Sequence, residues 1–331
     1  MKHFTGSFIF AAAVLAAVYF FTGSATALLA AATLAVVETV FSLDNAVVNA
    51  KILEDMSVFW RKIFLTVGIL IAVVGMRLYL PIQIVAGLGN MGLIDAFHLA
   101  TSNPSQFSHI LHESHAIVAG AGGSFLLLLG LKYFMDVEKE EHWLPWLENL
   151  ASKLGGFAEI QVFTVAALAY SFSSLMPSNS EEFFMSSLGG IALFILVDIF
   201  KSSVEMVEEK FTHLAIGGLG TFIYLEVLDA SFSFDGVIAA FAISDSIWVI
   251  AAGLGIGAYF VRSMTMYLVD QGTMSEYRFL EHGAMWAIVT LAGFMWFGLI
   301  YHIPEAIIAL TSVAILGAAF THSHIMNKKE F

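Results

Sequence analysis

The sequence predicts an all-α polytopic membrane protein of about ten transmembrane helices containing two inverted three-helix repeats. Three observations carry that expectation: a series of long apolar segments, a one-sided distribution of lysine and arginine, and a ten-residue stretch that occurs twice. The 331 residues are 59% hydrophobic and 12% charged, against about 25% charged in an ordinary soluble domain. The net charge of -13 leaves no basic stripe to neutralise phosphates. Nucleic acid is therefore excluded as a partner, and the lipid bilayer is the expected one. There is no cysteine, which excludes disulfides, thiolate metal sites and thiol redox chemistry.

Taken in order, the apolar runs place helices near 5–21, 25–50, 60–80, 112–135, 161–177, 183–201, 212–243, 247–269, 281–301 and 304–321. Breaks are read at Thr22-Gly23, Pro81, Pro177-Ser178 and Pro304, where glycine and proline punctuate the pattern. Lys2, the apolar run 8–21 and Ala25-Thr-Ala27 have the outline of a secretory signal. The residues after the cut run straight into another span, so the first helix is read as retained.

Orientation follows from basic residues, which concentrate in cytoplasmic loops. With Lys2 inside, the inner loops hold Lys51, Arg61, Lys62, Lys132, Lys139, Lys153, Lys201, Lys210 and Arg278, and the C-terminus adds Lys328 and Lys329. The long outer loop at about 81–111 holds none. Both termini are expected in the cytoplasm. The reading is a single membrane domain over 1–331, with a first repeat half at 25–135, a cytoplasmic linker at 136–160 and a second half at 212–301. The linker reads as a solvated connector with an interfacial helix, Trp143 and Trp146 being suited to a membrane interface.

The duplicated stretch is Glu38-Thr-Val-Phe-Ser-Leu-Asp44-Asn-Ala-Val and Asp229-Ala-Ser-Phe-Ser-Phe-Asp235-Gly-Val-Ile. At a constant offset of 191 residues, Glu38 falls on Asp229, Phe41 on Phe232, Ser42 on Ser233 and Asp44 on Asp235. Acids at membrane depth are expensive and mark function by default. The charge partition makes the two helices antiparallel, as in inverted repeats of secondary transporters. Arg77 follows Asp44 by 33 residues and Arg262 follows Asp235 by 27, which extends the correspondence.

A six-residue step turns a regular helix by about 600°, leaving its two acids about 120° apart. Convergence therefore requires both helices to break near Ser42 and Ser233. The candidate metal ligands are Glu38, Asp44, Asp229 and Asp235, with Asn45, Ser42, Ser233 and Glu226 in support. All are hard oxygen donors, which suit Mn²⁺, Ca²⁺ or Mg²⁺. Four carboxylates exceed the charge of one divalent ion, so protons, a second ion, Arg77 or Arg262 must neutralise the surplus. Proton counter-transport is one expectation, because burial raises a carboxyl pKa.

Other clusters read more weakly. Asp95, His98, His109, His112, Glu113 and His115 gather in the outer segment, where His112 and His115 are spaced to share a helical face. Thr321-His-Ser-His324 reads as a solvated tail. No nucleophile is paired with a base and no phosphate-binding Gly-Lys-Ser/Thr loop is present, so the chain is not expected to be an enzyme.

Glu38-Thr-Val-Phe-Ser-Leu-Asp44-Asn45-Ala resembles the first motif of the TerC membrane proteins, an acid before a Ser-x-Asp-Asn core. Asp229-Ala-Ser-Phe-Ser-Phe-Asp235 resembles their second, and Trp60-Arg61-Lys62 leading to Gly68, Gly122-Gly123-Ser-Phe-Leu-Leu and Phe279-Leu-Glu-His-Gly283 fit the family layout. The resemblance covers about 25–135 and 212–320. It implies a manganese exporter of the bacterial inner membrane, within the lysine-exporter superfamily, using Glu38, Asp44, Asp229 and Asp235 at its metal site. One departure stands out: the family's second motif continues Asp-Ser-x-Pro, whereas this chain has Asp235-Gly236-Val-Ile. The functional expectation is a secondary transporter exporting Mn²⁺. The alternatives are export of Ca²⁺ or another divalent metal, or a non-transporting metal-binding scaffold in envelope stress. Homo-oligomerisation, metal identity and transport direction stay open at this level.

Overall fold

A computed structural model describes the chain except residues 1, 138, 140, 156–158, 211–217, 242, 245, 302 and 331. It leaves undescribed the side chains of residues 2, 205, 207–210, 233–235, 238, 239, 274, 275, 305, 329 and 330. Among the described residues every regular element is helical. Six helices are long and apolar enough to cross a membrane, and a bent pair supplies a seventh span if counted as one. That architecture is compatible with a multi-pass membrane protein.

The chain divides into two compact units. The first comprises Met1–Ala46, Met56–His115 and Leu225–Tyr267, so both copies of the acidic motif lie in it. Its first helix, α1 (Thr5–Thr22), turns Phe8, Ile9, Phe20 and Phe21 outward, as a lipid-facing helix does. Gly23, at φ +61°, ends α1 in the left-handed cap that glycine adopts without strain. The Ser24 side chain then accepts from the Ala27 N–H and starts α2 (Ala25–Phe41).

α2 stops at Ser42 and α3 (Leu43–Glu54) departs from it at 55°. The expected break in the first motif is therefore present. The chain next forms α4 (Val58–Ile63), then two π-helical segments at Phe64–Gly68 and Ile71–Tyr79, then α5 (Leu80–Leu88). Together they make one 31-residue span, Val58–Leu88. Pro81 does not end the helix as the sequence suggested. It lies in the first turn of α5, just after the π register gives way, where a missing N–H costs little. The segment read as a long outer loop is helical as well, forming α6 (Leu93–Ser102) and α7 (Pro104–Glu113). Asn103 caps α7 by accepting from the Gln106 N–H, and Pro104 supplies a preset first turn.

Two further helices belong largely to this unit. α12 (Leu219–Ala240) carries the second motif and α13 (Ile247–Asp270) follows it. α12 runs without interruption through Ser233 and Gly236. The expected second break is thus overturned. No proline follows Asp235, and a single glycine inside a helix is tolerated at a cost of about 1 kcal/mol.

The second unit comprises Val47–Asp55, Ala116–Tyr224 and Leu268–Phe331. It holds α8 (His115–Phe134) from Ala116 onward, α9 (Pro145–Leu154), α10 (Ile160–Ser173), α11 (Ser180–Lys210), α14 (Thr273–Glu276), α15 (Leu280–Phe297) and α16 (Glu305–Glu330). The breaks near Pro177 and Pro304 fall between α10 and α11 and between α15 and α16, as expected. Trp296 packs with Phe172 and Phe183, and its indole N–H donates to the Ala119 carbonyl at 3.1 Å.

Two expectations fail in this unit. The linker is more than a solvated connector, because its Glu148 is buried. That carboxylate accepts from the backbone N–H groups of Trp143 and Leu144, from the Trp286 indole at 3.1 Å and from Lys139 at 3.3 Å. Reaching back to N–H groups at the start of its own helix, it acts as a capping side chain. The C-terminal Thr321-His-Ser-His324 leaves Thr321, His322 and His324 exposed but is no free tail, since α16 continues through it. Buried Ser323 accepts from the Phe279 N–H, and His322 stacks on Phe279 while accepting from the Trp143 indole.

Candidate ion site

The buried face of α2 is Ala31, Leu34, Ala35 and Glu38, the spacing of one helical stripe. Two glycines of α13 lie beneath it. A Cβ at Gly253 would strike Leu34 and the Ala31 backbone, and one at Gly257 would sit 2.5 Å from the Glu38 side chain. Small residues four apart are what let two membrane helices approach this closely. Glu38 is thereby buried against backbone, where an ionised carboxylate requires a partner.

Arg77 supplies it. This buried guanidinium, on the second π segment, donates through Nη2 to Glu38 Oε1 and through Nη1 to the Ala72 carbonyl at 2.8 Å. Ser42, at the break, also donates to Glu38 Oε1, at 3.3 Å. The opposite oxygen, Glu38 Oε2, lies 3.2 Å from the Cβ position of Gly236, beside the second motif.

The second motif repeats the arrangement. Arg262 on α13 lies 3.6 Å from Asp229 and 3.4 Å from Glu226. It also donates to the carbonyls of Phe64 at 2.6 Å and Gly68 at 2.9 Å, and its guanidinium stands 4.0 Å over the Phe64 ring. A Cβ at Gly68 would meet the tips of both Glu226 and Arg262, so a larger residue would have to displace them. In each copy, then, the first acid of the motif meets an arginine from the helix that follows.

Among the described residues a hydrogen bond joins the copies: Asn45 Nδ2 donates to Asp229 Oδ1 at 2.7 Å. Asp44, buried in the first turn of α3, accepts the Asn45 N–H at 2.9 Å. Asn45 Oδ1 and Glu226 Oε2 are buried without a hydrogen-bond partner. Two acceptor oxygens left unsatisfied in a buried polar cluster are costly unless water or a cation reaches them.

Of the expected ligands, Glu38, Ser42, Asp44, Asn45, Glu226 and Asp229 are buried or half-buried within the first unit. The side chains of Ser233 and Asp235 lie outside the described residues. Glu226, three residues before Asp229 on the unbroken α12, shares its face. Among the described residues no three His, Asp or Glu side chains are grouped so as to hold a metal ion. The outer histidines follow suit. His109 pairs with Glu113 at 3.4 Å on an exposed surface, and His112, at the end of α7, lies near enough to His115, at the start of α8, for the charge of the second to add to burial in disfavouring that of the first. Sequence reading missed the π segments and the glycines under Glu38.

A family model described as "Protein of unknown function (DUF475)" matches residues 43–330. The chain belongs to the DUF475 family. The match begins after Glu38 but takes in Asp44, Asn45, Arg77, Glu226, Asp229, Asp235 and Arg262 of the DUF475 chain. No curated protein and no solved structure matches it.

Proposed function

We propose that this DUF475 protein is a secondary transporter that exports a divalent metal cation, with Mn²⁺ as the first candidate. The observation that carries the reading is the charge of the buried cluster. Among the described side chains, Glu38, Asp44, Glu226 and Asp229 stand against Arg77 and Arg262, so four carboxylates less two guanidiniums leave two negative charges, the complement of one divalent ion. The donors are hard oxygens, including the unpartnered Asn45 Oδ1, which favour Mn²⁺, Ca²⁺ or Mg²⁺ over soft metals. The broken α2–α3 helix is a construction that ion-coupled transporters use at midplane sites. The TerC-like motifs support manganese among these ions, and the basic-residue partition supports antiparallel repeats rocking about the site.

The test is metal flux in proteoliposomes, paired with a manganese-sensitivity assay of cells expressing Asp44→Asn or Asp235→Asn. Wild type should move Mn²⁺ and protect cells, and each variant should lose both. Binding without flux would make the protein a scaffold, and full protection by both variants would refute the acid site. An imposed pH gradient that drives or reverses uptake would identify protons as the coupling ion.

A further inference from the structure

The two arginines of the site are held differently. Arg262 is tied down by two carbonyls of the Phe64–Gly68 segment and by the Phe64 ring, with its carboxylates at 3.4 and 3.6 Å. Arg77 has the Glu38 carboxylate and one carbonyl of its own helical segment, and its Nε has no hydrogen-bond partner although buried. Most of what holds Arg77 is therefore Glu38 itself. Arg77 also stands on nine residues of π-helix, Ile71–Tyr79, a geometry rare at any length and frequent at functional sites.

Glu38 Oε1 already accepts from Arg77 and Ser42. For Glu38 to ligate an ion fully, the guanidinium must withdraw. Resting on the divalent-cation reading above, we infer that Arg77 is a tethered counter-cation that the transported ion displaces from Glu38. Arg262 is the fixed charge of the site and Arg77 the exchangeable one. This arrangement does two things. It keeps the empty carrier from burying one more uncompensated carboxylate, which is strongly unfavourable in a membrane interior. It also weakens ion binding by competition, so that the ion can leave on the far side.

Arg77→Gln separates these consequences. Removing a like charge next to the ligands should tighten Mn²⁺ binding to the purified protein by about tenfold. The empty site then carries an extra negative charge, so net flux in proteoliposomes should fall by about tenfold while exchange of radioactive Mn²⁺ for Mn²⁺, in which the carrier is always loaded, persists. Arg77→Lys keeps the charge and should retain net flux. Unchanged or weaker binding by folded Arg77→Gln, loss of exchange together with net flux, or equal net flux in the Lys and Gln variants would each overturn the inference and leave the transport reading standing. If wild type neither binds nor moves Mn²⁺, the transport reading fails and this inference with it. Should Arg77→Gln not fold, Arg77→Lys decides alone. A single ammonium cannot hold Glu38 and the Ala72 carbonyl as a fork does, so Mn²⁺ binding must tighten two- to threefold, and equal or weaker binding overturns the inference.

Discussion

Asn45 is the residue at which the two copies of the motif meet, and its amide divides its work between them. Nδ2 holds Asp229 at 2.7 Å, while Oδ1 is left without a partner in the buried cluster. Truncation to alanine would strand Asp229 Oδ1 without its donor, and a buried acceptor so exposed costs about 1–3 kcal/mol. Asn45→Ala should therefore unfold at a lower temperature in detergent and lose Mn²⁺ uptake. An Asn45→Ala protein as stable as wild type would show that the bond is dispensable. The sequence placed Asn45 among the ligands because it follows Asp44. It carried no sign that Asn45 would pair with an acid 184 residues away.

At the scale of the helix, α2 and α13 are brought together by what α13 lacks. Gly257 leaves room for the Glu38 side chain, with the Ala35 carbonyl 3.0 Å from its Cβ position. Gly257→Ala would force the helices apart at the buried carboxylate, and overpacking of that kind costs about 1–3 kcal/mol. Gly293→Ala on α15 serves as the control, since nothing lies within 4 Å of its Cβ position. Thermal unfolding should separate the two, with Gly257→Ala clearly lower and Gly293→Ala at or slightly above wild type. Helix breaking also belongs to this scale. The sequence read both motifs alike because Ser42 and Ser233 occupy equivalent positions. The structure breaks only the first, where the Ser42 hydroxyl turns to Glu38.

For the whole molecule, the linker is joined to the helices of the second unit through Glu148. Burial pushes its carboxyl pKa upward, but hydrogen bonding from Trp286, the charges of Lys139 and His282 and the Leu144 N–H outweigh it. The group is held below its ordinary value of 4.5. A depressed carboxyl contributes stability above its unfolded pKa and loses it as pH falls through the lower, folded value. Glu148→Gln should cost about 3 kcal/mol at neutral pH, as expected for breaking a buried charged pair. The difference in unfolding temperature from wild type should narrow as pH falls below about 4.5 and close only under the lower, folded pKa, where the native carboxyl is also neutral. A gap independent of pH would mean that Glu148 acts by shape alone.

Much of this protein is legible along one dimension. Apolar runs, the breaks at Gly23 and Pro177, and an acid–Ser–acid stretch written twice are local patterns. They yield a helical, membrane-compatible chain with Glu38, Asp44 and Asp229 in one unit. The tertiary structure decided the rest: which arginine meets which acid, that α12 stays whole, that Val58–Leu88 runs on through Pro81, and that Glu148 is buried in the linker. Those outcomes depend on partners supplied from distant parts of the chain. Gly257 reaches Glu38 and Phe64 reaches Arg262 only after folding. A carboxylate's partner is chosen by what packing brings within about 3 Å, and sequence spacing does not encode that distance.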